Sequence, residues 1–275
     1  LRVRVDLAEH RVVSLADGDR ELLAEPPALA LWRAPLDNDG MYGQGAVGRW
    51  REWGLDSLSL ASRSATLRRQ DGTALLRLDE VWHGATPALA ISHRQRLVLD
   101  GDGLHFAHEV RVPKALDDLP RVGVQLVLPA GHEDVEWFGL GPHENYVDRR
   151  DGVFVARHRG SVADLYHPYV RPQSQGARGE TRWLALRAKD GSGIGIVADA
   201  PLAFAARHFS EAELERAQHL AELEPDPRLH VYLDVAQRGV GTGACGPDTL
   251  PRYRVGGGRF RFGYRIVGLS AGASL

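Results

Sequence analysis

Residues 135–150 read V-E-W-F-G-L-G-P-H-E-N-Y-V-D-R-R. Val135, Trp137 and the neighbouring Phe138 open the stretch with β-prone bulk, which predicts a strand. Gly139-Leu140-Gly141-Pro142 then breaks it, because glycine tolerates φ > 0 and proline cannot donate to a ladder. His143, Glu144, Asn145, Tyr146, Asp148, Arg149 and Arg150 follow at once. Such a crowd of hydrogen-bonding groups can form a polar rim for sugar hydroxyls. It can equally be a buried polar network that pins a long loop onto a sheet. In the second case Asn145 and Arg149 are expected to be buried and bonded to backbone or to carboxylates such as Asp37 and Asp39.

Strand patterns lie on both sides of this stretch. Leu1–Leu7, Arg11–Leu15, Leu58–Leu60, Thr73–Trp82, Ile91–Leu99, Leu104–Val112 and Val122–Leu128 precede it, divided by turn clusters such as Asp71-Gly72 and Asp100-Gly101-Asp102-Gly103. Val153–Arg157, Tyr166–Val170, Thr181–Ala188, Ile194–Ala198, Leu202–Arg207, Leu229–Val235 and Arg259–Val267 come after it. Ser210 as N-cap with Glu213 three residues on predicts a helix continuing through Leu214, Ala217 and Leu220 until Pro225 bounds it. A second short helix is expected within the detour Met41–Gly54, with Trp50 and Trp53 on one face. About sixteen short strands with one or two short helices predict an all-β fold, a large two-sheet antiparallel sandwich. No repeat and no linker divides residues 1–275, which reads as a single domain.

Bulk composition excludes several classes. With 34 Lys and Arg against 36 Asp and Glu, the net charge is −2, so neither nucleic acid nor an anionic membrane is an expected partner. Mean hydropathy is −0.28, and no stretch approaches the ~20 apolar residues that a membrane helix needs. Cys245 is the one cysteine, which rules out an intramolecular disulfide and fits a cytoplasmic location. The chain opens inside a strand and its one methionine is Met41; we expect it to be part of a longer multidomain chain.

Motifs for chemistry are mostly absent. Gly239-Val240-Gly241-Thr242-Gly243 lacks the helix on which a dinucleotide pyrophosphate would sit. Ser174 has no nucleophile-elbow setting. Cys245, in C-G-P, suits a turn better than a nucleophile. His105 and His108 face opposite sides of a strand. Asp37-Asn38-Asp39-Gly40 looks like a calcium loop but lacks the distal glutamate, so no metal site is expected. Glu144 and Asp148 have the residue type of a glycosidase carboxylate pair. Beside two arginines they are expected to be ionised and salt-bridged rather than proton donors. As a catalytic pair Glu144 and Asp148 are therefore not expected to act.

Three segments together carry a resemblance: W-R-A-P-L-D-N-D at 32–39, W-F-G-L-G-P-H-E-N-Y-V-D-R at 137–149, and Y-V-R-P-Q-S-Q-G-A-R at 169–178. They resemble the C-terminal, small-chain domain of the large β-galactosidases of glycoside hydrolase family 2. The helix-bearing stretch 209–223 and a glycine loop ending C-G-P fall in the same order. The resemblance implies a supersandwich shared with galactose mutarotases and a parent enzyme that hydrolyses terminal β-D-galactosides. It implies a partner TIM-barrel domain carrying both catalytic glutamates, with Mg2+ and Na+ there and no cofactor in this domain. It also implies that loop 239–247 reaches the active-site mouth, exposed and mobile when its packing partner is missing. Where well-known members place a sugar-stacking tryptophan, this chain has Cys245 followed by Gly246, which offer no flat face. Two other functions remain open. One is a stand-alone carbohydrate-binding module using loops 143–150 and 171–178. The other is a mutarotase-like isomerase with a histidine acid and glutamate base. In these, His143, Glu144 and Arg171 are the candidate sugar contacts, with His167 as a second histidine.

Overall fold

In the computed structural model, which describes residues 1–40, 45–70 and 73–275, the alternating segments form fifteen strands among the described residues. They are β1 (Arg2–Asp6), β2 (Arg11–Asp17), β3 (Arg20–Glu21), β4 (Ala28–Ala30), β5 (Ser59–Gln70), β6 (Thr73–His83), β7 (Ile91–Asp100) and β8 (Gly103–Arg111). After them come β9 (Arg121–Leu128), β10 (Asp134–Gly141), β11 (Phe154–Ser161), β12 (Arg178–Arg187), β13 (Gly193–Arg207), β14 (Leu229–Gln237) and β15 (Arg259–Leu269). The first four residues of the Met41–Gly54 detour and the Asp71-Gly72 turn lie outside the described residues.

All the ladders are antiparallel. A small sheet β1-β2-β3 stands beside a large curled sheet ordered β11-β10-β12-β13-β15-β8-β7-β6-β5, from which β14, β9 and β4 branch through β13. β13 makes the sandwich possible. Its first half, Gly193–Ala198, pairs with β15, while Ala203–Arg207 pairs with β14. One strand thus passes between the two layers. The sequence had suggested two strands there because Pro201, which cannot donate to a ladder, interrupts the apolar pattern.

The layers enclose one apolar cluster. β9 and β14 contribute Val124, Leu126, Val231 and Leu233, and the opposite layer contributes Phe106, Val135, Trp137, Ile196 and Tyr264. Trp137 reaches Phe204 on the second half of β13 with ring centroids 5.7 Å apart, and its Nε1 donates to the Leu140 carbonyl at 3.0 Å. β5 is an edge strand twelve residues long, whereas the sequence suggested three. Its Ser, Ala, Thr and Arg side chains are mostly exposed and carry no apolar rhythm to reveal it.

Short helices α1 (Asp37–Gly40), α2 (Ala46–Glu52), α3 (Val162–Leu165) and α4 (Glu211–Arg216) decorate the ends. Trp50 of α2 is fully buried, and Trp53, at its C-cap, packs against the core. Tyr166–Val170 is not a strand: Val170 is 91% exposed, and Pro168 denies the segment a ladder donor. α4 stops at Ala217 rather than running to Leu220. Its Ser210 hydroxyl caps the Glu213 N–H at 3.0 Å, but the Glu213 carboxylate turns to Arg216 and the Glu224 N–H instead of completing a capping box. The returning chain takes the place of further helix.

A polar line crosses the inner face of β5–β8. Arg63 donates to Glu80 at 2.7 Å, Glu80 meets His93 Nδ1 at 3.1 Å, and His93 Nε2 meets His108 Nδ1 at 3.0 Å. Burial opposes ionisation of Glu80, but His93 and Arg63 hold its carboxyl below the ordinary range. With Glu80 ionised, His93 donates to it from Nδ1, and a single proton bridges His93 Nε2 and His108 Nδ1. Nε2 of His108 is buried with no hydrogen-bond partner. Burial holds the His108 pKa well below its usual value.

The unfolded chain protonates this histidine near pH ~6.5, while the folded protein keeps it neutral. The unfolded state therefore binds the extra proton as the pH falls below that value, and stability is lost on the acid side. We expect the urea midpoint to fall between pH 7 and pH 5 and His108→Gln to make that fall shallower. Equal slopes for the two proteins would show that His108 carries its proton in the native state.

Candidate functional site

After β4 the chain turns through Pro35 into α1, and Arg33 points inward with no exposed side-chain surface. Its guanidinium grips Asp39 with two bonds, 3.1 and 2.7 Å. A third N–H donates to the Arg238 carbonyl at 2.9 Å. Arg238, just past β14 and equally buried, donates to Asp39 at 3.2 Å and to Asp118, Asp248 and Thr249 at 2.7 Å each. Trp50 lies against both cations, 5.6 and 5.9 Å from its ring centroid. Two arginines face two buried aspartates, Asp39 and Asp118, so the desolvated charge balances, as a stable buried network requires. Asp39 is thus held by Arg33 and Arg238. The expectation that it would meet Arg149 is corrected.

This network grips residues 238 and 249, the two ends of the glycine loop. From outside, the Asp148 carboxylate accepts the N–H groups of Val240 and Gly241 at 2.9 and 2.8 Å. Asn38 donates to the Gly241 carbonyl at 2.8 Å and accepts from the Ala244 N–H at 3.0 Å. The glycines serve close approach here: a Cβ on Gly239 would sit 2.5 Å from an Asp148 oxygen, and one on Gly243 2.5 Å from the Asn38 carbonyl. Thr242–Asp248 forms an exposed crown above this tied base. Cys245 and Gly246 occupy it, each with its N–H on the Thr242 carbonyl, at 3.1 and 2.7 Å.

The other two segments interlock beside the loop. Asn145 is buried as expected, donating to the His143 carbonyl at 3.1 Å and accepting from the Gly179 N–H at 2.9 Å. Arg149 is not: 45% of its side chain is exposed, and it meets Glu144 and the Tyr169 hydroxyl. Glu144 also accepts from the Gly176 N–H at 2.7 Å and from Tyr146 at 3.3 Å. Burial works against its charge, but Tyr169, Gly176 and Arg149 hold its carboxyl below the ordinary range. It is an ionised, fully engaged carboxylate that closes a loop. His143 and His167 are exposed on either side. Arg171 lines a separate cavity of about 310 Å³ with Asp37, Arg51 and Glu215.

Glu211, at the start of α4, ties the rest together. It accepts from the Ala34 N–H at 2.8 Å, Ser174 at 3.2 Å, Arg121 at 2.5 Å and Arg207. Arg121 also holds Asp234 through bonds of 3.1 and 2.6 Å, and Tyr232 lies under both arginines. Sequence reasoning passed over Arg121, Arg207, Glu211 and Arg238. The available signal was an arginine set at the end of a strongly apolar strand, as at Arg121 and Arg207. Among the described residues no group of three or more His, Cys, Asp or Glu side chains is arranged to hold a metal. No helix among them is long and apolar enough to cross a membrane.

Comparison with known proteins gives a consistent picture. The family model described as "Beta galactosidase small chain" matches residues 1–266. A β-galactosidase of Arthrobacter sp. strain B7 is 34% identical over 256 residues, covering 82% of this chain and 24% of that protein. One from Vibrio cholerae is 32% identical over 228 residues, covering 80% and 22%. The chain spans about a quarter of the length of these curated relatives. A galactose mutarotase-like protein from Clostridium acetobutylicum superposes with a TM-score of 0.50 at 8% identity, over 98% of this chain and 91% of that one. That likeness shows the fold, the mutarotase-like supersandwich.

Two stability tests separate buried from rim charge. Arg33→Ala, which strands Asp39 in the interior, is expected to cost about 3–5 kcal/mol in urea unfolding. Arg149→Ala should cost no more than about 1 kcal/mol. Equal losses would contradict the assignment of Asp39 to Arg33. Asp148→Ala should cost roughly 2 kcal/mol through its two charge-assisted bonds and open residues 239–247 to limited proteolysis. Unchanged cleavage in that variant would show that Asp148 does not hold the loop.

Proposed function

The chain belongs to the β-galactosidase small-chain family, and we propose that it serves as the non-catalytic C-terminal domain of an enzyme that hydrolyses terminal β-D-galactosides. The observation carrying this reading is the double anchoring of loop 239–247. Arg238 fixes the loop from within and Asp148 with Asn38 from outside, while Cys245 and Gly246 remain exposed. Such a construction holds a short crown steady against a neighbouring surface.

We assign that surface to a catalytic TIM-barrel domain of the parent, bearing the acid/base and nucleophilic glutamates of a retaining mechanism together with Mg2+ and Na+. The carboxylates of the present site support this division. Glu144, Asp148 and Glu211 each accept several bonds from their own protein, which leaves them holding the fold. In the crown, a thiol and a glycine give the mouth of the sugar site a low wall without a stacking face.

The purified chain alone is expected to show no turnover of a chromogenic β-galactoside, and the full parent to show it. Activity that stays with the isolated chain through purification and disappears in Glu144→Gln would overturn the proposal. In the parent, Cys245→Trp should tighten galactoside binding by roughly 1 kcal/mol through added stacking. An unchanged KM for that variant would separate the crown from the sugar.

A further inference from the structure

β15, β8, β7 and β6 lie side by side in the large sheet and bury one face, with Leu78, Leu97, Phe106 and Tyr264 in the core. Side chains alternate along a strand, so the intervening residues share the other face. There Arg77, Arg94, Arg96, Arg111, Arg259 and Arg261 are all exposed. The chain as a whole carries a net charge of −2, so this face is a concentrated exception to the charge of the molecule.

The ladders set these side chains in rows. Arg94 stands opposite Asp79 on one side and Glu109 on the other, and Glu109 stands opposite Arg261. Asp79 binds Arg77 and Arg94 at 2.6 and 2.7 Å. Glu109 binds Arg259, Arg111 at 2.8 Å and Arg261 at 3.2 Å. These three, Arg259 foremost, hold its carboxyl down to about 2. Two carboxylates thus serve five arginines. The rows on either side place like charges directly opposite, Arg77 against Arg96 and Arg111 against Arg259. Such pairs oppose folding. Arg96 is the extreme case: it forms no ion pair among the described residues, and its other neighbour across the ladder is Ala107.

Next to Arg96 the face is hollow. A cavity of about 450 Å³ is lined by Arg94, Arg96 and Arg261, and Ala107 and Gly263, opposite one another, give it a floor without long side chains. Asp199 lies at its margin, close over Gly263, and is met by His105 at 2.9 Å. With Asp199 counted, the six arginines still outnumber the three carboxylates, and a guanidinium is a donor only. The occupant must therefore bring acceptors with negative charge. Carboxylates suit the face, because each takes a guanidinium through two parallel bonds and can be placed singly against arginines on strands about 4.8 Å apart. A nucleic-acid backbone carries unbroken charge and would press phosphates onto Asp79 and Glu109 as well.

We propose that the outer face of β6, β7, β8 and β15 docks an acidic protein surface, whose carboxylates engage Arg94, Arg96 and Arg261 at the hollow. Loop 239–247 lines no part of that hollow, so this surface is independent of the function proposed above. The test is fluorescence anisotropy of a labelled oligo-L-glutamate peptide titrated with the purified chain at low salt. Saturable binding is expected, weakening steeply as salt is raised. Arg96→Glu should weaken it about tenfold. The thermal midpoint of that variant should stay equal or rise, because the repulsion between residues 77 and 96 becomes attraction. Lys189→Glu makes the same charge change in the exposed turn between β12 and β13 and should leave the affinity within about twofold. No binding of the peptide overturns the proposal. So does equal weakening by Lys189→Glu, which would reduce the effect to net charge. Tighter binding of duplex DNA than of the peptide also overturns it.

Discussion

The two-bond grip of Arg33 on Asp39, shared with Arg238 beneath Trp50, is the interaction on which this end of the molecule depends. Neither ion could be buried alone, because desolvation of a single charge costs more than any one contact returns. The arrangement works as a set. Asp118 balances the second arginine, Arg49 and Asp248 reach it from partly exposed positions, and the Trp50 indole closes it while donating to the Asp118 carbonyl at 2.5 Å. Segments far apart in the chain, 33–39, 118, 238 and 248–249, meet there. A fault at any of them leaves an uncompensated charge in the interior.

The second constraint is β13. Because one strand serves both layers, the cores above and below it are continuous, and Trp137 against Phe204 is a contact between layers made through it. The same passage leaves an opening walled by Pro201, Leu202 and Val235.

Much of the fold was legible because half-buried antiparallel strands alternate, and alternation is visible in sequence. β6, β7, β8 and β9 stand close to where their patterns placed them. β5 escaped because both its faces meet solvent along most of its length, so nothing selected for apolar rhythm. The site was legible only in part. The segments 32–39, 137–149 and 169–178 were recognisable, and Asn145 was buried as expected. The partners were not: Arg121 meets Asp234 across 113 positions, and Arg238 meets Asp39 across 199. Local pattern carries no information about such pairings. Glycine was also misleading in 239–247, where it suggested looseness and in fact admits the Asp148 and Asn38 groups that tether the loop.

That tether has a consequence for how such a chain can change over time. Asn38 and Asp148 bind the main chain of 240–244, so apart from Gly243, where a Cβ would meet the Asn38 carbonyl, the tether does not use the side chains of residues 244–247. Residues 244–247 can be exchanged or lengthened without disturbing the charges beneath them. The crown is a graft point, on which specificity can drift while the foundation is inherited intact.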